Sequence, residues 1–525
     1  MNIEPMKKEF LGMLSNLYIV ALTMLLPLYT RGSYVLLGDA KYALFRNISV
    51  FCLGLAGVTA LTGWLIQAVA LFLRRSKSGR FQHKAQLQGL SGTFIVGDIT
   101  LSPMDICMLC YGGCVLLSAL CSGYGTVAWT GYQGWYMGAV SQIIFVGIYF
   151  FISRLYQGNG WPVLLWETGF FLVVLLGFCS RVGWDPLGLM RDFNSGDWEY
   201  SHLISTLGNI NWFCGYCAVA LAMPVAGYLK GGSLGKRIFL GAVSVLGLIL
   251  LVIQGSDIGP VLVVVCLGVC LLWGRRNTAV FGRVLLLAAG IAFGLPCYSG
   301  LALLLGDNAL KSLPADGPGL AVFGWGGWWL LGLVLLWLYF GIHRFAGKKQ
   351  GIVNGLWLGT VILGAAVLAV GGVMYLLWLS GTEGWINGRA SLWTLAFRGF
   401  LQGGWKQKLL GAGPDCFAEY IYSHFPPSEL FNVEGHWAEA VFVNAHNQWL
   451  NHLINTGILG LGSAAAICVT AFRRYRCSLL GILVLCMYGV NSLVSFQQVL
   501  STPLFFLALG LCEYSVRKRD LSVSE

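Results

Sequence analysis

The sequence predicts an all-α, polytopic transmembrane helical bundle of about fourteen spans, with one large loop between its late spans. Three observations predict it. Hydrophobic residues make up 57% of the chain and charged residues only 10%, a balance too apolar for a water-soluble globular protein. Apolar runs long enough to cross roughly 30 Å of hydrocarbon recur from one terminus to the other, separated by turn residues and charges. The basic residues fall in short clusters that alternate with those runs.

The early spans are read at 11–29, 47–73, 103–121, 135–153 and 161–179. The middle ones follow at 211–229, 237–254, 258–274, 281–305, 319–341 and 352–380. The last three are placed at 446–472, 478–497 and 501–514. The whole of 1–525 reads as a single polytopic membrane domain whose solvent is the lipid bilayer. Twenty Trp and 71 Gly suit that setting, since Trp anchors at headgroup level and Gly lets helices approach closely.

Lys7 and Lys8 precede the first apolar run as in a signal peptide, but no small-residue cleavage site follows, so an uncleaved first helix is expected. With the N-terminus cytoplasmic, alternate loops collect about 23 of the 33 basic residues, among them Arg74, Arg75, Arg154, Lys230, Lys236, Arg473, Arg474, Arg476, Arg517 and Arg519. Both termini are then cytoplasmic. The net charge of +11 is therefore read as topology rather than as a nucleic-acid footprint. Most of the sixteen Cys lie within apolar stretches and read as buried thiols. Cys107-x-x-Cys110 has no second pair and no nearby His, so no metal site and no cofactor are expected.

Two loops on the other side stand out. One, at about 180–210, holds Asp185, Asp192, Asp197 and Glu199; the other, 381–445, is the longest polar segment. The second is too rich in Trp, Phe and Leu for disorder, and the spacing of Leu392, Trp393, Phe397, Phe400 and Leu401 predicts an amphipathic helix lying in the interface.

Within that loop Gly388-Arg389-Ala390-Ser391-Leu392-Trp393 is followed by Gly411-Ala412-Gly413-Pro414-Asp415, then by Ala445-His446-Asn447-Gln448 and Asn455-Thr456-Gly457-Ile458-Leu459-Gly460. Upstream, Gly208-Asn209-Ile210-Asn211 stands at the mouth of another span. In this order the motifs resemble the O-antigen ligase and polymerase-like superfamily, over roughly 200–470. The resemblance implies a GT-C-like fold in a bacterial inner membrane and a metal-independent transferase with an extracytoplasmic active site. Its donor is a glycan on undecaprenyl pyrophosphate, and its acceptor a hydroxyl on a glycan, lipid or protein.

The residue chemistry agrees with that implication. An arginine presents a planar fork of donors that matches phosphate oxygens and stays charged at any working pH, which suits Arg389 to a diphosphate leaving group. An imidazole can take the acceptor's proton, which suits His446 to the role of base. Asn447 is expected to orient a sugar or a neighbouring loop; Asn209 and Asn211 to cap the mouth of their span or touch substrate; Glu383 to pair with Arg389 or bind a sugar hydroxyl. Asp415 reads as a turn or cap residue, and His424, His436 and His452 as non-catalytic.

One departure from the family stands in Gln254-Gly255-Ser256-Asp257-Ile258-Gly259-Pro260, where Asp257 occupies a place at which many members carry a second pyrophosphate-facing Arg. Arg181 or Arg191 is the expected substitute. Repeat-unit polymerase activity is the alternative within the superfamily, and a lipid-linked glycan flippase or transporter the alternative from another class.

Overall fold

The computed structural model describes residues 3–75, 94–96, 99–194, 196–314, 319–345, 351–362, 364, 389–434 and 441–524. Regular structure among them is almost wholly helical; the strands form two short antiparallel pairings, Phe94–Val96 with Ile99–Leu101 and Leu203–Ile204 with Gly208–Asn209. In hydrocarbon the backbone must satisfy its own hydrogen bonds, and a helix does so within one segment.

Nine helices among the described residues are long and apolar enough to cross a membrane: an all-α polytopic membrane protein. The most enclosed is Ile210–Lys230, with 83% of its apolar window inside the protein; the most peripheral is Leu320–Phe345, at 17%. Ile210–Lys230 is therefore the axis about which the bundle packs. Peripheral apolar side chains such as Leu330, Trp337 and Phe340 face outward, as they do when lipid rather than water is the neighbour. Around the axis, Pro103–Cys121 packs on Gly457–Arg474, Ala139–Leu155 on Thr502–Ser524, and Thr278–Leu305 on Gly327–Phe345.

Two spans end differently from the sequence reading. The run 446–472 is two helices, Gln448–Asn455 and Gly457–Arg474, broken where Gly457 takes φ +65°. The run 478–497 stops at Asn491, and Ser492–Ser501 turns back into the protein as irregular, largely buried chain. Of 352–380, only the first turns are described; the rest lies outside the described residues. The amphipathic helix is present as Arg389–Gln402, but its buried stripe is Leu392, Leu395, Ala396 and Gly399, which leaves Phe397 and Leu401 exposed.

Two buried cations complete the packing. Lys41 donates to the carbonyls of Leu26, Pro27 and Tyr29 at 2.8–3.0 Å, satisfying the last turn of the first span after Pro27 interrupts it. Arg181 does the same between three other segments, described below.

Candidate functional site

The long loop and the late spans meet at two back-to-back glycine turns. Ala412 and Gly413 donate their N–H groups to the carbonyls of Ile454 and Asn455, at 2.8 and 2.9 Å, so the Gly-x-Gly-Pro motif closes the end of the Gln448–Asn455 helix. The approach is too close for side chains. A Cβ on Gly411 would stand 2.3 Å from the Asn455 oxygen, and one on Gly457 2.5 Å from the Leu409 oxygen; both residues also have positive φ. Ser118 and Ser122 bind the Asn455 and Ala412 carbonyls and tie both turns to the Pro103–Cys121 helix.

At the other end of Gln448–Asn455 stands His446. Its N–H donates to Asn444 Oδ1 at 2.9 Å, Ala445 N–H donates to Asn451 Oδ1 at 2.7 Å, and its backbone is held at φ +46°. The ring is half-buried and meets Phe496 edge-on, 5.2 Å between centroids. Burial, first, and the nearby charge of Arg389, second, push the imidazole down to about 3, so it is neutral. Arg389 opens the helix Arg389–Gln402, which packs against Gln448–Asn455. The two residues singled out from sequence are thus brought together.

Sequence reasoning missed the 131–138 loop. Asp415 Oδ2 accepts the N–H groups of Tyr132 and Met137, both at 2.8 Å, and so pins that loop over the Gly-x-Gly-Pro turn. Trp135, at the tip, meets Phe496 edge-on at 4.7 Å and Trp212 at 5.5 Å. Imidazole, Phe496, Trp135 and Trp212 form one aromatic wall reaching from His446 to the start of the Ile210–Lys230 helix. The non-glycine residues with positive φ among those described are Tyr136, Ser205, Asp415 and His446, and three of the four belong to this assembly. Backbone strain of this kind collects where a site is built. No sequence signal pointed to Trp135, because its partners are distant in the chain. A polar cavity lined by Gln142, Asp415, Asn444, Asn451 and His452 adjoins the wall.

Other predicted site residues take different places. The side-chain oxygen of Asn447 caps Gln448–Asn455, accepting from Trp449 and Leu450 N–H at 3.0 and 3.1 Å, and so starts the helix beside His446. Asn209 caps the next helix through Asn211 N–H at 2.8 Å, and Asn211 Oδ1 accepts from Ser256 at 2.5 Å. These two asparagines therefore join the span mouth to the 254–257 turn.

Arg181 reaches that same turn, from beneath. It is fully buried, and its guanidinium donates to the carbonyls of Gln254 and Ser201, each at 2.9 Å, and to that of Ser312. A guanidinium that is fully buried, with both terminal nitrogens donating to backbone carbonyls, does not face a substrate, so the expectation of Arg181 as a phosphate ligand is corrected. Arg191 is 62% exposed, with Asp192 at 3.9 Å. Asp257 is exposed at the N-terminus of Ile258–Trp273. His452 is buried with its ring edge on Tyr111, and His424 Nδ1 lies 2.9 Å from the Tyr420 carbonyl and 3.0 Å from the Ser423 hydroxyl of its own turn. Glu383 and His436 lie outside the described residues.

No protein-family model matches the chain, and no curated protein matches it either.

Proposed function

We propose that the chain is a membrane glycosyltransferase, of about fourteen spans in a GT-C-like arrangement, acting on the extracytoplasmic face of a bacterial inner membrane. It moves a glycan from undecaprenyl pyrophosphate to an acceptor hydroxyl, as an O-antigen ligase-like enzyme does. The observation that carries the reading is the meeting of Arg389 and His446 at the end of the bundle opposite the basic clusters of Arg473–Arg476 and Arg517–Arg519. Four shorter apolar helices, Ala139–Leu155, Ile258–Trp273, Gly351–Ile362 and Leu479–Asn491, add to the nine long ones and support the higher span count.

In this reading the acceptor oxygen attacks C1 of the glycan, the bond from C1 to the diphosphate oxygen breaks, and the acceptor's proton passes to the His446 imidazole. Arg389 stabilises the charge that grows on the departing diphosphate, a contribution larger at the transition state than in the ground state. Desolvation and Arg389 both oppose protonation of His446, and on their own they keep it a weak base. A bound diphosphate reverses the local charge and raises the imidazole's basicity, so the base becomes competent when the donor is in place.

The test is transfer in detergent. Purified chain supplied with a labelled undecaprenyl-pyrophosphate glycan and an acceptor should move label to the acceptor without a sealed compartment. Label that remains on the carrier there, but crosses the bilayer of proteoliposomes, would establish the transporter reading instead.

A further inference from the structure

The Gly457–Arg474 helix starts beside the candidate site and ends about 27 Å away at 1.5 Å per residue, at the opposite end of the bundle. Three of the cavities there differ in charge. One is bordered by Lys8, Arg154, Arg517 and Lys518, but also by Glu9 and Asp520. A second has Lys230, Lys236 and, shared with the third, Arg474 and Arg519, together with Glu167. The third, of about 490 Å³, is bordered by Thr470, Arg473, Arg474, Arg476 and Arg519, and among the described residues no carboxylate lines it.

Arg474 is already neutralised by Glu513 at 2.6 Å and Asp520 at 3.8 Å. Among the described residues no acidic side chain pairs with Arg473, Arg476 or Arg519. Topology alone asks for positive charge at this end, and scattered residues would meet that need. It does not ask for three unpaired guanidiniums around one cavity, where their mutual repulsion costs free energy. A phosphate group removes that cost and matches the guanidinium fork.

The surface beside the cavity says which phosphate. Val469, 51% exposed, lies one helical turn from Arg473 on the same face, and Phe472 is 53% exposed next to it. Cationic groups above an outward apolar strip match a molecule with an anionic head and hydrocarbon tails. We propose that Arg473, Arg476 and Arg519 form a binding site for the phosphate headgroup of an anionic phospholipid from the adjoining leaflet, with its acyl chains along Val469 and Phe472.

The test uses the purified full chain, delipidated and titrated in native mass spectrometry with phosphatidylglycerol, phosphatidylcholine of the same acyl chains, or inorganic phosphate. The expected result is a phosphatidylglycerol adduct that survives activation which strips phosphatidylcholine, and that is at least about tenfold weaker in R473Q/R476Q/R519Q. Equal retention by that variant, or equal retention of the two lipids, would overturn the proposal. Displacement of the lipid by millimolar inorganic phosphate would overturn the lipid assignment in favour of a free phosphate. Should the triple variant fail to fold, Arg476→Gln alone gives the reading, with the thermal unfolding of the lipid-free protein as the folding control.

Discussion

The guanidinium of Arg389 lies close enough to His446 for its charge to oppose protonation of the imidazole, although Arg389 opens the helix Arg389–Gln402 and His446 stands just before the cap of Gln448–Asn455. Their proximity depends on what seats Gln448–Asn455: the Asn447 cap, the glycine turns at its end, and the Phe496 edge.

The depressed basicity of His446 gives a pH dependence with a definite sign. The unfolded chain protonates this residue near 6.5 and the folded chain only near 3, so between those values the unfolded state binds more protons. Stability therefore falls as pH drops from about 6.5 toward 3. Asp415 works in the opposite direction: burial raises it from 3.8 to about 7 against the pull of its two N–H donors, so its contribution is present at low pH and fades as pH rises through that range. The difference between wild type and His446→Gln isolates the imidazole. Thermal unfolding in detergent at pH 4.5 and 7.5 is expected to show a smaller acid loss for the variant; identical losses would remove the basis for a neutral His446.

Asp415→Ala is expected to leave the N–H groups of Tyr132 and Met137 without their acceptor, at about 1–3 kcal/mol for each group that finds no other partner. Asp415→Asn keeps an acceptor oxygen and tolerates φ +61°, so it should unfold close to wild type. Unfolding temperature reports the difference between the two variants. Equal behaviour of both variants would show that the 131–138 loop is held by something else.

A methyl group at Gly411 or Gly457 collides with backbone carbonyl oxygens, and both residues have positive φ. Backbone strain alone costs of order 1–3 kcal/mol. Either Ala variant should therefore lower the unfolding temperature and reduce transfer, whereas Ala at Gly462, which has open space around it, should do neither.

Far from the site, Asp105 is fully buried and accepts from Arg154 at 2.8 Å, from Arg517, and from Tyr149 at 2.9 Å, which ties Pro103–Cys121 to Ala139–Leu155 and Thr502–Ser524. Asp105→Ala leaves two guanidiniums without that partner, and breaking a buried pair typically costs about 3–5 kcal/mol. A large fall in unfolding temperature is expected, with the specific activity of the remaining folded protein unchanged.

Much of this was legible in the chain. Apolar runs placed spans such as 103–121, 161–179 and 211–229 within a few residues, and the Leu392-to-Leu401 spacing located a helix, because length and periodicity are local properties. The break at Gly457 was not legible: a single glycine is tolerated within an apolar helical pattern, and only the Leu409 carbonyl pressed against it forces the turn. Arg181 was assigned to the right turn but the wrong side of it, since sequence gives no sign of which carbonyls await a buried guanidinium. Trp135 was missed for the same reason: its value lies in Phe496 and Trp212, hundreds of residues and tens of residues away respectively.

The most direct measurement separates donor binding from transfer in wild type, Arg389→Ala, His446→Gln and the double variant. Arg389→Ala should weaken binding of the undecaprenyl-pyrophosphate glycan, His446→Gln should leave binding intact while abolishing transfer, and the double variant should be scarcely slower than the worse single one. Full transfer by either single variant at unchanged protein level, or losses that simply multiply in the double variant, would contradict a shared site for the two residues.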